Sequence, residues 1–214
     1  QRSKWRSSPR GTGEWAAALR EMAKMGAELF LPAHGLPIAG RERIARVLDE
    51  VASALENLVS EVLLRMNAGA KLNDILHEVK VPEEVLAKPY LVPLYDDPEF
   101  VVRNVWRLYG GWYDGNPSHL QPARDAALAE ELATLAGGAK TLGQRATALA
   151  EAGDLRLASH LIEYACTAAP ADRDLQARRA DIYQLRRDAE RCLMAKGIYG
   201  YAAGESRERA EEAD

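Results

Sequence analysis

From Arg41 to Asn67 the apolar residues Ile44, Val47, Leu48, Val51, Leu55, Leu58, Val59, Val62, Leu63 and Met66 recur every three or four positions. That spacing gathers side chains on one face of an α-helix. The pattern predicts a helix of about seven turns, with Arg43, Glu50, Glu56 and Arg65 on a solvated face and Gly69 just beyond its end. So long a stripe needs a surface to lie on, either a partner helix of the same chain or a second subunit.

Before this helix, "EWAAALREMAKMGAE" places Trp15, Ala18, Leu19, Met22 and Ala23 on one helical face, and Gly26 stands where a helix end favours a left-handed residue. The apolar run "ELFLP" then reads as the one convincing strand, delivering His34 into the loop at its carboxyl end. A lone strand makes no sheet, so its partners are expected elsewhere.

After the helix, "KLNDILHEVKVPEEVLAK" predicts two short helices around Pro82, with His77 a surface or partly buried residue. In "YDDPEFVVRNVWRLYGG", Asp97 can cap a helix, Pro98 suits its first turn and Glu99 faces the positive end of the dipole. That helix should stop at Gly110-Gly111. "WYDGNPSHLQP" follows, where Asp114-Gly115 and Asn116-Pro117 are successive turn signals beside a packed Trp-Tyr pair. Helices are predicted over 122–136, 139–152, 154–168 and 172–196. "ALAEAGDLRLASHLIEYACTAAPADRDLQARRADIYQ" is similar to a tetratricopeptide-type hairpin, with small residues Ala150, Gly153, Ala158 and Ala165 where helices approach and Pro170 after the second helix. Since only one clear unit is visible, these helices should pack on the 41–67 helix or across a dimer. The charged tail "GESRERAEEAD" has no periodicity and is expected to fray.

Composition narrows the function. The chain has 214 residues, 47% hydrophobic, which suffices for a substantial core. A formal net charge of -4 provides no basic footprint for nucleic acid. No apolar run reaches the roughly 18 residues of a membrane span. The two cysteines, Cys166 and Cys192, sit in helical patterns as buried free thiols, which leans toward a reducing compartment. The chain begins at Gln1, as a fragment or processed product would, and its opening "QRSKWRSSPRGTG" reads as a solvated loop or linker.

Chemistry is sparse. Zinc takes His, Cys or carboxylate ligands in sets of three or four, whereas the four histidines His34, His77, His119 and His160 include no His-x-His pair, and there is no Cys-x-x-Cys. There is no Gly-x-Ser-x-Gly elbow. "GTG" at 11–13 is too short for a phosphate loop. The residues alone leave His34 open between a metal ligand and a loop histidine bonded to backbone between Pro32 and Pro37.

The combination of "LPAHGLPIAGRERI", the long helix, "VRNVWRLYGGWYDGNPSHLQP" and the hairpin around "AGDLRLASHLIEYA" resembles the C-terminal part of the alkyl sulfatases of the metallo-β-lactamase superfamily, over roughly residues 14 to 203. "GWYDGNPSHL" is its specific part. The resemblance implies a mainly α chain. Residues 1–40 would end a metallo-β-lactamase αββα catalytic domain, 41–202 would form an all-helical, tetratricopeptide-like dimerisation domain, and 203–214 a charged tail. It implies two zinc ions in the parent enzyme, with His34 as the last histidine ligand. It also implies an alkyl sulfate substrate met by Arg103 and Tyr109, and a homodimer joined through the helices. Trp112, Tyr113, Asp114, Gly115 and Asn116 are expected to shape the turn against the catalytic segment.

The family's His-x-His-x-Asp-His segment and its upstream acidic ligands are not among these residues, so no catalytic residue is assigned and the chain alone is expected to be inactive. These residues include no equivalent of the sterol-carrier-like domain of longer members, and "PLYDDPEF" stands in place of their Gly-Tyr-His-Gly type stretch. The expectation is therefore a C-terminal fragment of a zinc-dependent sulfuric ester hydrolase. The alternatives are a non-catalytic helical adaptor and a metallo-β-lactamase-fold hydrolase of another substrate class.

Overall fold

In the computed structural model the described residues are 11–211; the first ten residues of the basic opening and the last three of the tail lie outside them. The chain divides into two units, the first comprising residues up to 93 and 97–120, the second 94–96 and 121–214.

In the first unit α1 (Thr12–Lys24) leads to a hairpin of β1 (Leu29–Phe30) and β2 (Ile38–Ala39), followed by α2 (Arg41–Asn67). The short helices α3 (Leu72–Glu78) and α4 (Glu83–Leu86) come next, then α5 (Pro98–Gly110) and a 3₁₀ turn at Pro117–His119. The stripe of α2 is covered within the chain. Ile44, Leu48, Ala52 and Leu55 pack with Ala16 and Leu19 of α1, while Leu58 and Val62 pack with Ile75 and Leu76 of α3 and Val102, Val105 and Trp106 of α5. The opposite face is less idle than its polarity suggested. Arg20 of α1 donates to Asp49 at 2.9 Å, Ser53 at 2.9 Å and Glu56 at 2.7 Å, fixing the register of α1 on α2.

Two expectations are corrected here. The strand at 29–30 is not left without a local partner: β2 pairs with it antiparallel, Leu29 opposite Ala39 and Phe30 opposite Ile38. Pro37 at the entry of β2 and Gly40 at its exit disguised the second strand, which is only two residues long. Nor is Trp112 packed into the turn. It is 75% exposed, touching Tyr113 edge-on with centroids 6.2 Å apart.

The second unit holds α6 (Asp125–Leu135), α7 (Ala139–Glu151), α8 (Leu155–Ala168), α9 (Arg173–Ala189) and α10 (Leu193–Glu211). Its core joins Ala146, Ala158, Ile162, Ala165, Leu175 and Ile182, with Ala150, Ala158 and Ala165 buried at the helix approaches. Asp154 and Asp172 cap α8 and α9 by accepting from Leu157 N and Leu175 N, each at 3.1 Å. Cys166 and Cys192 are free and buried.

The helix predicted over 172–196 is broken at Glu190–Cys192, and the charged stretch expected to fray is helical through Glu211. The break has a specific cause. The Cys192 thiol donates to Tyr95 O at 3.0 Å and Leu193 N to Leu94 O at 2.8 Å, so a strap at 94–96 replaces helical partners. The tail is held because Ala203 and Ser206 are fully buried, and Arg209 pairs with Glu205 one turn away at 2.9 Å.

Candidate functional site

The loop at 31–37 is closed by its hairpin. Gly40 N donates to Glu28 O at 2.9 Å, Arg41 pairs with Glu28 at 3.2 Å, and Gly35 takes φ +102°, a conformation open chiefly to glycine. His34 lies at its tip, exposed and without a hydrogen-bond partner among the described residues. It is therefore presented outward with both ring nitrogens available, not consumed by backbone. Among the described residues no three His, Cys, Asp or Glu side chains come together to hold a metal ion, so these residues do not fit a complete two-zinc centre; His34 could supply one ligand of such a site.

Arg103 and Tyr109 lie on α5, whose Val102, Val105 and Trp106 face the core. Both are exposed and neither makes a hydrogen bond or ion pair with a described residue. Six positions separate them, about 1.7 turns of helix, which leaves them roughly 120° apart around its axis. The structure joins neither to the other, nor either to His34, by a hydrogen bond.

The sharper geometry is in the turn after α5. Trp106 Nε1 donates to Tyr113 O at 3.1 Å, and Leu72 N of α3 donates to Asp114 O at 3.0 Å, so the turn is bound on both sides. Within it, Asp114 Oδ1 accepts from Asn116 N at 2.9 Å and Oδ2 lies 2.6 Å from His119 Nδ1. Asn116 Oδ1 accepts from Ser118 N and Ser118 Oγ, while its Nδ2 lies 3.2 Å from His119 Nε2. The amide nitrogen is a donor, so the network assigns His119 as an acceptor at Nε2 and a donor at Nδ1. The bonds from Asn116 N and His119 hold the Asp114 carboxyl below its usual range.

An aspartate-histidine pair suggests general-base chemistry, but the second ring nitrogen here is already taken by Asn116. The arrangement instead locks the turn. Sequence reasoning assigned Asp114 and Asn116 to the turn and missed His119; an Asp and a His five apart around Asn-Pro was the available signal.

Comparison with known proteins places the chain in a family. The family model described as alkyl sulfatase dimerisation matches residues 71–209. A linear primary-alkylsulfatase of Pseudomonas sp. (strain ATCC 19151) is 30% identical over 168 residues, covering 77% of this chain and 32% of that protein. An (R)-specific secondary-alkylsulfatase of Pseudomonas sp. is 30% identical over 155 residues, 72% of this chain and 23% of that protein. The solved structure of the stereoselective inverting sec-alkylsulfatase Pisa1 from Pseudomonas sp. superposes with a TM-score of 0.83 at 26% identity, covering 95% of this chain and 32% of that one. A double mutant of the sec-alkyl sulfatase PisA1 gives 0.84 at 26% identity, covering 94% and 32%. The fold is thus that of a helical portion of an alkylsulfatase. The chain belongs to the alkyl sulfatase dimerisation family, and it spans about a third or less of the length of the curated relatives it matches.

Proposed function

We propose that these residues are the C-terminal portion of a zinc-dependent alkyl sulfatase that hydrolyses alkyl sulfate esters. Residues 1–40 would end its metallo-β-lactamase-like catalytic domain. The helices of 41–202, similar to tetratricopeptide units, would join two copies, followed by the charged tail 203–214. The observation that carries this reading is the 30% identity to a linear primary-alkylsulfatase across 77% of the chain.

In this reading the exposed imidazole of His34 supplies one zinc ligand, and the other ligands come from the N-terminal catalytic segment. Arg103 offers a planar, always charged fork suited to sulfate oxygens, and the Tyr109 hydroxyl a further donor. Neither group is bonded to a described residue. On its own the chain is inactive.

The test uses the full-length parent. Sulfate release from dodecyl sulfate is expected and should cease with a chelator; no chelator-sensitive release overturns the assignment. His34→Ala should lower the zinc content of the parent, and unchanged stoichiometry removes His34 from the site. Arg103→Gln and Tyr109→Phe should raise KM for the sulfate ester, and unchanged kinetics would withdraw their role. Light scattering should give twice the mass of one chain.

A further inference from the structure

The face of α2 bearing Arg46, Glu50, Ser53 and Leu58 looks across a half-open groove at the segment 79–91. The groove encloses about 410 Å³, within the span of small-molecule sites. Its floor is apolar: Leu58 and Val79 are buried, and Val81, Val85 and Leu91 half-buried. Its mouth carries charges, and the way they are matched is informative.

Every carboxylate lining the groove is already held by a cation of the same unit. Glu50 accepts from Lys88 Nζ at 2.7 Å and also from the Tyr90 hydroxyl; Asp49 accepts from Arg20 at 2.9 Å, and Glu61 from Arg65. Lys80 is engaged by Glu99 at 2.9 Å and Leu76 O at 3.0 Å. Arg46 is exposed at the mouth and makes no hydrogen bond or ion pair with any described residue. Lys88 beside it has given one of its three N–H groups to Glu50. What remains is an apolar trough ending at a guanidinium whose charge acts on Glu50 but whose N–H groups bond to no described residue.

We propose that this groove binds a single-chain amphiphile with a monoanionic head, its chain on Leu58, Val79, Val81, Val85 and Leu91 and its head on Arg46. A guanidinium forks onto two oxygens of a carboxylate or a sulfate equally well, so a fatty carboxylate and an alkyl sulfate share the required chemistry. The inference stands on the groove and does not rest on the sulfatase reading.

Isothermal titration of the 214-residue chain, below micelle-forming concentrations and at low salt, tests it with octanoate, octyl sulfate and octyltrimethylammonium. Saturable one-to-one binding is expected of at least one anion; octanoate alone or octyl sulfate alone identifies the preferred head. Arg46→Gln should weaken that binding at least about tenfold, as should Val85→Asp, while Arg43→Gln, outside the groove, leaves it unchanged. Arg46 makes no hydrogen bond or ion pair with a described residue and acts on Glu50 only through its charge, so its variant should change the melting temperature little. The proposal is overturned if neither anion binds, as it would be were a second copy to cover the groove. It also fails if the cationic amphiphile binds as well as the anions, or if Arg46→Gln binds like the parent. Octanoate has no sulfate ester, so its binding is independent of whether the full-length parent releases sulfate.

Discussion

Arg179 Nη1 donates to the Ser206 hydroxyl at 2.6 Å, tying α9 to α10. From Nε the same guanidinium reaches Glu163 of α8 at 2.8 Å, and its plane lies over the Tyr183 ring, 5.0 Å from the centroid. Ser206 Oγ donates to Gln176 Oε1 at 3.1 Å, and Gln176 Nε2 ends the series on Pro170 O at 3.0 Å. No polar side-chain atom buried among the described residues lacks a partner, so this seam is satisfied throughout. Arg179→Ala, which removes the donor to Ser206 and the bond to Glu163 together, should cost about 2–3 kcal/mol in urea unfolding. Ser206→Ala alone should cost less, and equal losses would refute the order of the network.

Gly115 and Gly69 separate two effects of glycine. Both have positive φ, +93° and +84°, but a Cβ at Gly115 would lie 2.8 Å from Lys71 Cγ and 3.3 Å from its Cα, whereas one at Gly69 meets nothing within 4 Å. Gly115→Ala should destabilise by clearly more than about 1 kcal/mol, since steric conflict adds to the backbone term. Gly69→Ala should show the backbone term alone. Thermal melts of both variants give the comparison.

Among the described residues, Asp114 titrates low through the Asn116 amide and His119, Glu50 through Lys88 and Tyr90, and Glu56 through Arg20. A depressed folded pKa means that the unfolded chain takes up protons first as pH falls. The stability these groups contribute is complete above the ordinary carboxylate range, about pH 4, and is lost as pH falls through it to the folded values. The melting temperature should therefore drop steeply on acidification below that range. Asp114→Asn should flatten the drop, and an unchanged slope would contradict the turn lock.

Cys166 donates to Leu175 O at 3.4 Å, and burial pushes its thiol up to about 12. With Cys192 only 1% exposed, neither thiol should react with an aromatic disulfide reagent in the native protein at pH 8, because the thiolate is the nucleophile and access is closed. Two thiols should react in denaturant. Fast labelling of the native chain would show that the second unit opens locally.

The strongest periodic signals were legible in the sequence. The long helix begins at Arg41 and ends at Asn67 as its stripe predicts, and the Asp97-Pro98 start and Gly110-Gly111 stop of α5 were readable from local chemistry. What escaped depended on partners remote in sequence. Nothing local marks a break at Cys192, because its cause is Tyr95 O. Likewise the tail looked unstructured because its charged residues hide Ala203 and Ser206, which α10 buries. Around the candidate site, His34 was legible as a loop histidine, but the matched charges that leave Arg46 over an apolar groove are set by distant partners such as Lys88 and Arg20.

The strap at 94–96 bears on how the molecule can be dissected. The second unit is discontinuous in sequence, so a truncated gene starting at residue 121 would encode five helices without the carbonyls of Leu94 and Tyr95. The Cys192 thiol and the amide of Leu193 would lose their acceptors, and the α9–α10 corner would be free to straighten into one long helix. Excision at residue 121 would thus change the shape of the piece excised.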